Sequence, residues 1–273
     1  ELFAQLIILF LITQAIGLWT ANTLIRENVH AEIIPGKGPE DVESSVGLFG
    51  YIIGFTIILL IAIKFLTGRL LYWLMKVLES AAILGTSFLV FASFVDHVFV
   101  GLVSIALVAL RNIYSKNLWL RNVTSVLSAA GAGALIGVSL GVFPVLVFIS
   151  MLAIYDLVAV FKTKHMVTIA KAVTKKNLSF TFAMPTKEHT FELGTGDMVI
   201  PLTFAVSVMA AGKQALVFPL FLVAPMLILA ASLAGLLWTI DYCAKKPGRA
   251  LPALPPQTVL MILAWLLAGA LGF

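Results

Sequence analysis

The chain has 273 residues, of which 61% are hydrophobic and only 11% are charged. A soluble globular domain carries about 25% charged residues, so lipid rather than water surrounds most of this chain. The net charge of +5 does not indicate nucleic acid, because the cations fall between apolar runs, and the single Cys243 excludes an intrachain disulfide and a cysteine-rich metal site.

Taken in order, the sequence predicts nine membrane spans. Nine spans of roughly 20 residues use about 180 positions and leave enough for loops. The chain opens at Glu1 rather than a methionine, as a trimmed chain would, and its first apolar run is too long for a signal-peptide core, so it reads as a mature span. Span 1 covers about Leu2 to Leu24, with Gln14 and Asn22 read as helix-packing residues. An acidic loop from Arg26 to Ser45 follows, broken by Pro35, Gly36, Gly38 and Pro39. Spans 2 and 3 cover about Val46 to Leu66 and Leu70 to Phe94. Glu79 lies three residues from Lys76, which reads as an ion pair on one helix face. Asp96 and His97 form a turn, and span 4, Val98 to Leu110, is short. Span 5, about Val123 to Leu140, ends in the small-residue series Gly131, Gly133, Gly137 and Gly141, which permits close approach of a neighbouring helix.

Span 6 runs from about Val142 to Phe161, and the longest polar stretch, Lys162 to Glu192, follows it. Within that stretch Leu178 to Phe182 alternates like a strand edge, and Thr190 to Leu193 is a second short candidate, so a small β-hairpin is expected before span 7. Span 7 is about Asp197 to Ala211 and carries Pro201. Span 8 is Ala215 to Ile240, and span 9 about Ala253 to Phe273. The fold class is therefore an all-α membrane protein, read as a single polytopic domain over 1–273: spans 1 to 6 within about 2–161, a loop over 162–192, and spans 7 to 9 within 197–273.

The cations give the orientation. Loops after the even-numbered spans hold fourteen Lys and Arg residues, six of them between spans 6 and 7, against Arg26, Lys37 and Lys213 in the others. The rule that cytoplasmic loops are basic then predicts a cytoplasmic N-terminus and an extracellular C-terminus in the cell membrane.

Against this apolar background two acids stand out. Asp156 lies in Ile154-Tyr155-Asp156-Leu157-Val158-Ala159-Val160, and Asp197 closes Gly194-Thr195-Gly196-Asp197. An ionisable residue inside a span is costly and marks a functional site. Asp156 precedes Lys162 by six residues, which is roughly 9 Å of helix from the cytoplasmic end. Asp197 and the Pro252-Ala253-Leu254-Pro255 turn come in from the same side, so topology brings all three to one depth. Two facing carboxylates in low dielectric cannot both ionise easily and share a proton, as a general acid/base pair for peptide hydrolysis requires. Gly194 and Gly196 are expected to loosen the backbone before Asp197. Tyr155 is either a hydroxyl donor at the site or an interfacial aromatic.

At these residues the sequence resembles the presenilin and signal peptide peptidase family of intramembrane aspartyl proteases. Tyr155-Asp156, Gly194-Thr195-Gly196-Asp197 and Pro252-Ala253-Leu254 match its three motifs, with Pro255 a presenilin-like extension. The resemblance implies a presenilin-like fold with Asp156 and Asp197 as the catalytic pair. Pro252, Ala253 and Leu254 would shape the substrate site, and an archaeal homologue is the best match. Thr195 replaces the family's common Leu, and Asp197 to Pro201 looks more like the signal peptide peptidase branch. The orientation is the presenilin one. The expected substrates are transmembrane helices in a lipid bilayer, with no cofactor, no metal and no nucleic acid; homo-oligomerisation stays open.

Two other readings compete: a cation or proton channel or transporter using the same acids, and a prepilin-peptidase-like protease. The proline turn before span 9 and the lack of a cysteine cluster speak against the latter. A helical substrate must also be unwound before cleavage. The unwound segment is expected to add as a strand to the Thr190–Leu193 side, flanked by the proline turn, so that proline at Phe191 or Leu193 would remove a donor from that edge.

Overall fold

The computed structural model describes residues 1–95, 97–163, 181–186, 190–244 and 252–273. Lys164, Lys171, Lys175, Lys176, Lys187, Lys245, Lys246 and Arg249, together with Asp96, His165, His189 and the predicted strand residues Leu178 to Phe180, lie outside the described residues.

Among the described residues the chain forms nine α-helices: α1 (Leu2–Arg26), α2 (Val42–Phe65), α3 (Gly68–Ala92), α4 (His97–Ile113), α5 (Leu118–Ser139), α6 (Val142–Val158), α7 (Gly196–Ala215), α8 (Val223–Ala244) and α9 (Leu254–Ala270). Among the described residues, seven helical stretches are long and apolar enough to cross a membrane; α4 and α9 are apolar but shorter, at 17 residues each. Seventeen residues make about 25 Å of helix, a little under the hydrocarbon thickness of about 30 Å. The expected span 8 divides differently. Ala215 stays in α7, a 3₁₀ turn occupies Leu220–Leu222, and α8 starts at Val223 beside Pro225.

One apolar core joins residues of α1, α5, α6, the hairpin and α7 to α9, including Leu6, Val126, Phe148, Phe182, Phe204 and Met261. The glycines of α5 explain how tightly it is built. A Cβ on Gly133 would stand 2.7 Å from Leu202 of α7, and one on Gly137 2.6 Å from Val206. Gly17 of α1 offers a second notch to the same Leu202, so α7 is held in a groove between α1 and α5. Gly131 receives the backbone of Thr86 in α3, and Gly141 receives the carboxylate of Glu40 from the α1–α2 loop. By contrast α2 buries only Ser44, Ser45 and Ala62 and leans chiefly on α6.

The expected hairpin is present, with β1 (Thr181–Pro185) antiparallel to β2 (Thr190–Gly194) and Phe182 opposite Leu193, Ala183 opposite Glu192 and Met184 opposite Phe191. Phe182, Ala183 and Met184 are all fully buried. Burial on both faces erases the period-2 signal, so the run beyond Phe182 does not look like a strand in sequence.

Candidate active site

Ile149, Leu152, Ala153 and Asp156 recur at three- and four-residue spacing as the buried stripe of α6. Asp156 thus faces the bundle because it occupies a core position of an otherwise apolar helix. It is 8% exposed. One turn later, over Ala159–Thr163, the helix widens into a π turn, a feature that recurs at functional sites.

Asp197 is placed by an abrupt strand-to-helix junction. β2 ends at Gly194, α7 begins at Gly196, and the intervening Thr195 already has helical dihedrals (φ −63°, ψ −26°). The Thr195 carbonyl accepts the N–H groups of Met198 and Val199, each at 3.0 Å. Asp197 therefore sits in the first turn of α7, where the helix dipole favours negative charge. Pro201 has no N–H, so the Asp197 carbonyl loses its i+4 donor. One residue on, Gln14 of α1 donates its Nε2 to the Met198 carbonyl at 3.1 Å. Among the described residues positive φ occurs only at Asn28, Gly36 and Gly272, so neither Gly194 nor Gly196 uses left-handed backbone. Their contribution is space: a Cβ at Gly194 would lie 3.6 Å from Asp197 Oδ2, and the region around Gly196 is open.

The proline turn supplies the third part. Pro252 is buried, Ala253 caps α9, and Leu254 opens the helix ahead of Pro255 and Pro256. The first N–H groups of a helix have no intrahelical partner, and here two of those positions are prolines. Gln257 N–H reaches Ala253 O at 3.4 Å, which leaves Leu254 as the donor of the first turn. Its N–H donates to Asp156 Oδ2 at 3.4 Å. Asp156 and Asp197 are close enough for their charges to interact through space. The structure thus draws together Asp156, Asp197, Gly194, Gly196 and the Pro252–Leu254 turn. The Tyr155 hydroxyl pairs with Thr56 of α2, and its ring meets Phe49 edge-on at 6.1 Å. Thr195 lines a cavity of about 160 Å³ with Glu79, Thr86 and Ser128 between α3, α5 and α7. Among the described residues no cluster of three or more His, Cys, Asp or Glu could hold a metal.

A family model described as "Signal-peptide peptidase, presenilin aspartyl protease" matches residues 7–193. The chain belongs to this family. It is an intramembrane aspartyl protease, a multi-pass membrane hydrolase, and the family assignment favours hydrolysis over the channel or transporter reading. The match includes Asp156 and stops one residue before Gly194. Two solved structures of a presenilin-family intramembrane aspartate protease resemble this protease over its length. The one in space group C222 has a TM-score of 0.67 at 21% identity and covers 97% of this chain and 95% of that one. The one in P2 has a TM-score of 0.65 at 25% identity, covering 97% and 96%. No curated protein matched the chain.

The protease has supporting residues that the sequence does not single out. Arg121, Asn122 and Ser125 of α5 and Gln5 of α1 bind β1. Arg111 reaches Glu79 Oε1 at 3.1 Å, and the expected Lys76–Glu79 pair is present at 2.6 Å. Arg111 and Arg121 sit in a stretch that reads as a basic loop, and an isolated amide such as Asn122 carries no periodic signal.

Proposed function

We propose that Asp156 and Asp197 are the catalytic pair, with Tyr155, Gly194, Thr195, Gly196 and Pro252 to Leu254 shaping the site around them. The reading rests above all on one observation: acids from two successive spans, Asp156 near the end of α6 and Asp197 in the first turn of α7, lie close together. In the pair one carboxylate takes a proton from a water whose oxygen attacks the scissile carbonyl carbon, and the protonated partner donates to the carbonyl oxygen. The resulting gem-diol collapses as a proton passes to the amide nitrogen and the C–N bond breaks. No acyl-enzyme forms, and the proton count closes on the pair. Leu254 N–H fixes one Asp156 oxygen by a hydrogen bond to the carboxylate.

The substrate is a transmembrane helix, unwound to an extended segment. The backbone groups of Thr181, Ala183 and Pro185 turn away from β2 towards α5 and α1. Antiparallel alternation then turns those of Phe191 and Leu193 inward to β1 and those of Thr190, Glu192 and Gly194 outward. An unwound segment adds to this outward edge, which leads straight into Asp197. This revises the donor assignment: proline at Phe191 or Leu193 would break the hairpin itself. The whole chain, 1–273, works as one polytopic domain in the cell membrane, with a cytoplasmic N-terminus and an extracellular C-terminus. Both acids come from one chain, so a single copy holds the whole pair.

Asp156→Ala and Asp197→Ala are each expected to lower cleavage of a transmembrane peptide in detergent by about 10²–10⁴-fold, with thermal unfolding close to the parent protein. Wild-type cleavage by either variant defeats the assignment. A pair that must hold one proton also gives a bell-shaped rate profile; a flat profile between about pH 4 and pH 9, with chemistry rate-limiting, excludes the shared proton.

A further inference from the structure

We infer that Asn122 is a positioning residue that stands in for a third strand and closes the β1 edge of the hairpin. Its side chain uses both ends of the carboxamide on one residue at the centre of β1: Nδ2 donates to Ala183 O at 2.7 Å, and Ala183 N–H donates to Oδ1 at 2.8 Å. Only one orientation of the amide satisfies both bonds. A carboxamide carries donor and acceptor much as a peptide group does, so Asn122 occupies the place a neighbouring strand would fill.

The rest of that edge is closed by the same helix and by α1. Arg121, 1% exposed, donates to Thr181 O at 3.3 Å, bonds the Thr181 hydroxyl, and pairs with Glu192 Oε1 at 3.1 Å across the hairpin. Ser125 Oγ donates to Thr181 O at 3.2 Å, and Gln5 Nε2 to Pro185 O at 3.2 Å. Every outward backbone acceptor of β1 is thus occupied by a side chain from α5 or α1.

An unpaired strand edge is a template for any extended segment. With β1 open, an unwound substrate could dock on the side away from Asp197 and be held unproductively. With Asn122 in place, the β1 edge is closed to an extended segment, and the hairpin register that leads Gly194 into Asp197 is fixed from behind. Asn122 touches neither acid; it acts through β1 and β2. The inference rests on the reading of the β2 edge as the docking strand.

Full-length Asn122→Leu and Asn122→Asp variants in detergent test it. The measurements are hydrogen exchange at the Ala183 amide, kcat and KM on a transmembrane peptide, and the distribution of cut sites by mass spectrometry. Asn122→Leu removes two hydrogen bonds and should speed Ala183 exchange by about tenfold or more, with a comparable fall in kcat/KM. It should also spread the cut sites, which a mere loss of folded enzyme would not do. Asn122→Asp keeps the acceptor for Ala183 N–H and should fall between; it carries the test if the leucine variant does not fold. Unchanged Ala183 exchange, or faster exchange with wild-type cut sites and kcat/KM, overturns the role. Glu192→Pro removes an outward N–H from β2, and Glu192→Gln isolates the effect of the Arg121 pair. Wild-type cleavage by Glu192→Pro sinks the docking edge itself. Impairment there with a silent Asn122→Leu sinks only the role of Asn122.

Discussion

Glu79 is 1% exposed in α3 and receives cations from two helices, Lys76 of its own and Arg111 of α4. Arg111 also donates to the Ser115 carbonyl at 2.6 Å. The partner at three-residue spacing is visible in sequence because helix geometry fixes it. The partner 32 residues away follows from the packing of α3 on α4, which no local pattern encodes. Asp156 and Asp197 are legible for the opposite reason: a lone acid in an apolar run needs no partner to be noticed. The energetic consequence at Glu79 is asymmetric. A buried pair contributes little net stability, yet removing one member leaves its partners charged in low dielectric. Glu79→Gln should therefore destabilise the protein by about 3–5 kcal/mol, read as a lowered unfolding midpoint in detergent. An unchanged midpoint would show that Lys76 and Arg111 are solvated or paired without it.

At the scale of elements, α7 has the position that matters most, since its first turn carries Asp197. Leu202 lies five residues further on and fills notches left by Gly17 and Gly133, while Val206 fills that of Gly137. Gly133→Ala puts a methyl 2.7 Å from Leu202 Cδ2 and 2.9 Å from its Cβ. The Leu202 Cβ cannot rotate away, so α7 or α5 must shift. Overpacking of this kind costs about 1–3 kcal/mol. Gly133→Ala is expected to lower the thermal midpoint and to reduce cleavage, because the shift carries Asp197 with it. Parent-like stability and activity together would mean that α7 is not clasped at this point. The glycine series itself is readable from sequence as a site of close approach, but its targets are not. Gly133 and Gly137, four residues apart, share the face that receives α7, whereas Gly131 points to α3 and Gly141, beyond the helix end, receives a loop. The strands show a similar limit. β2 falls where the alternation of Thr190 to Leu193 puts it, whereas β1 extends to Pro185 through residues buried on both faces.

For the molecule as a whole, the orientation decides which compartment the acids open to. Two of the fourteen cations used to set it, Arg111 and Arg121, are 1% exposed and committed to Glu79, Thr181 and Glu192. They are structural residues rather than topogenic charges exposed at the interface. Setting them aside leaves twelve against three, and of those three Lys213 is itself held by Asn22 and stacks over Phe221. The bias outlasts the correction because half of the twelve fall in one stretch of sequence, between spans 6 and 7. Its consequence is measurable with single cysteines introduced after Cys243→Ser. Glu32→Cys, in the α1–α2 loop, and Lys116→Cys, in the α4–α5 loop, are both at exposed positions. A membrane-impermeant maleimide added to intact cells should label the first and spare the second until the membrane is permeabilised. The reverse pattern would place Asp156 and Asp197 nearer the outer face, and the released fragments of a substrate would then leave on the opposite sides.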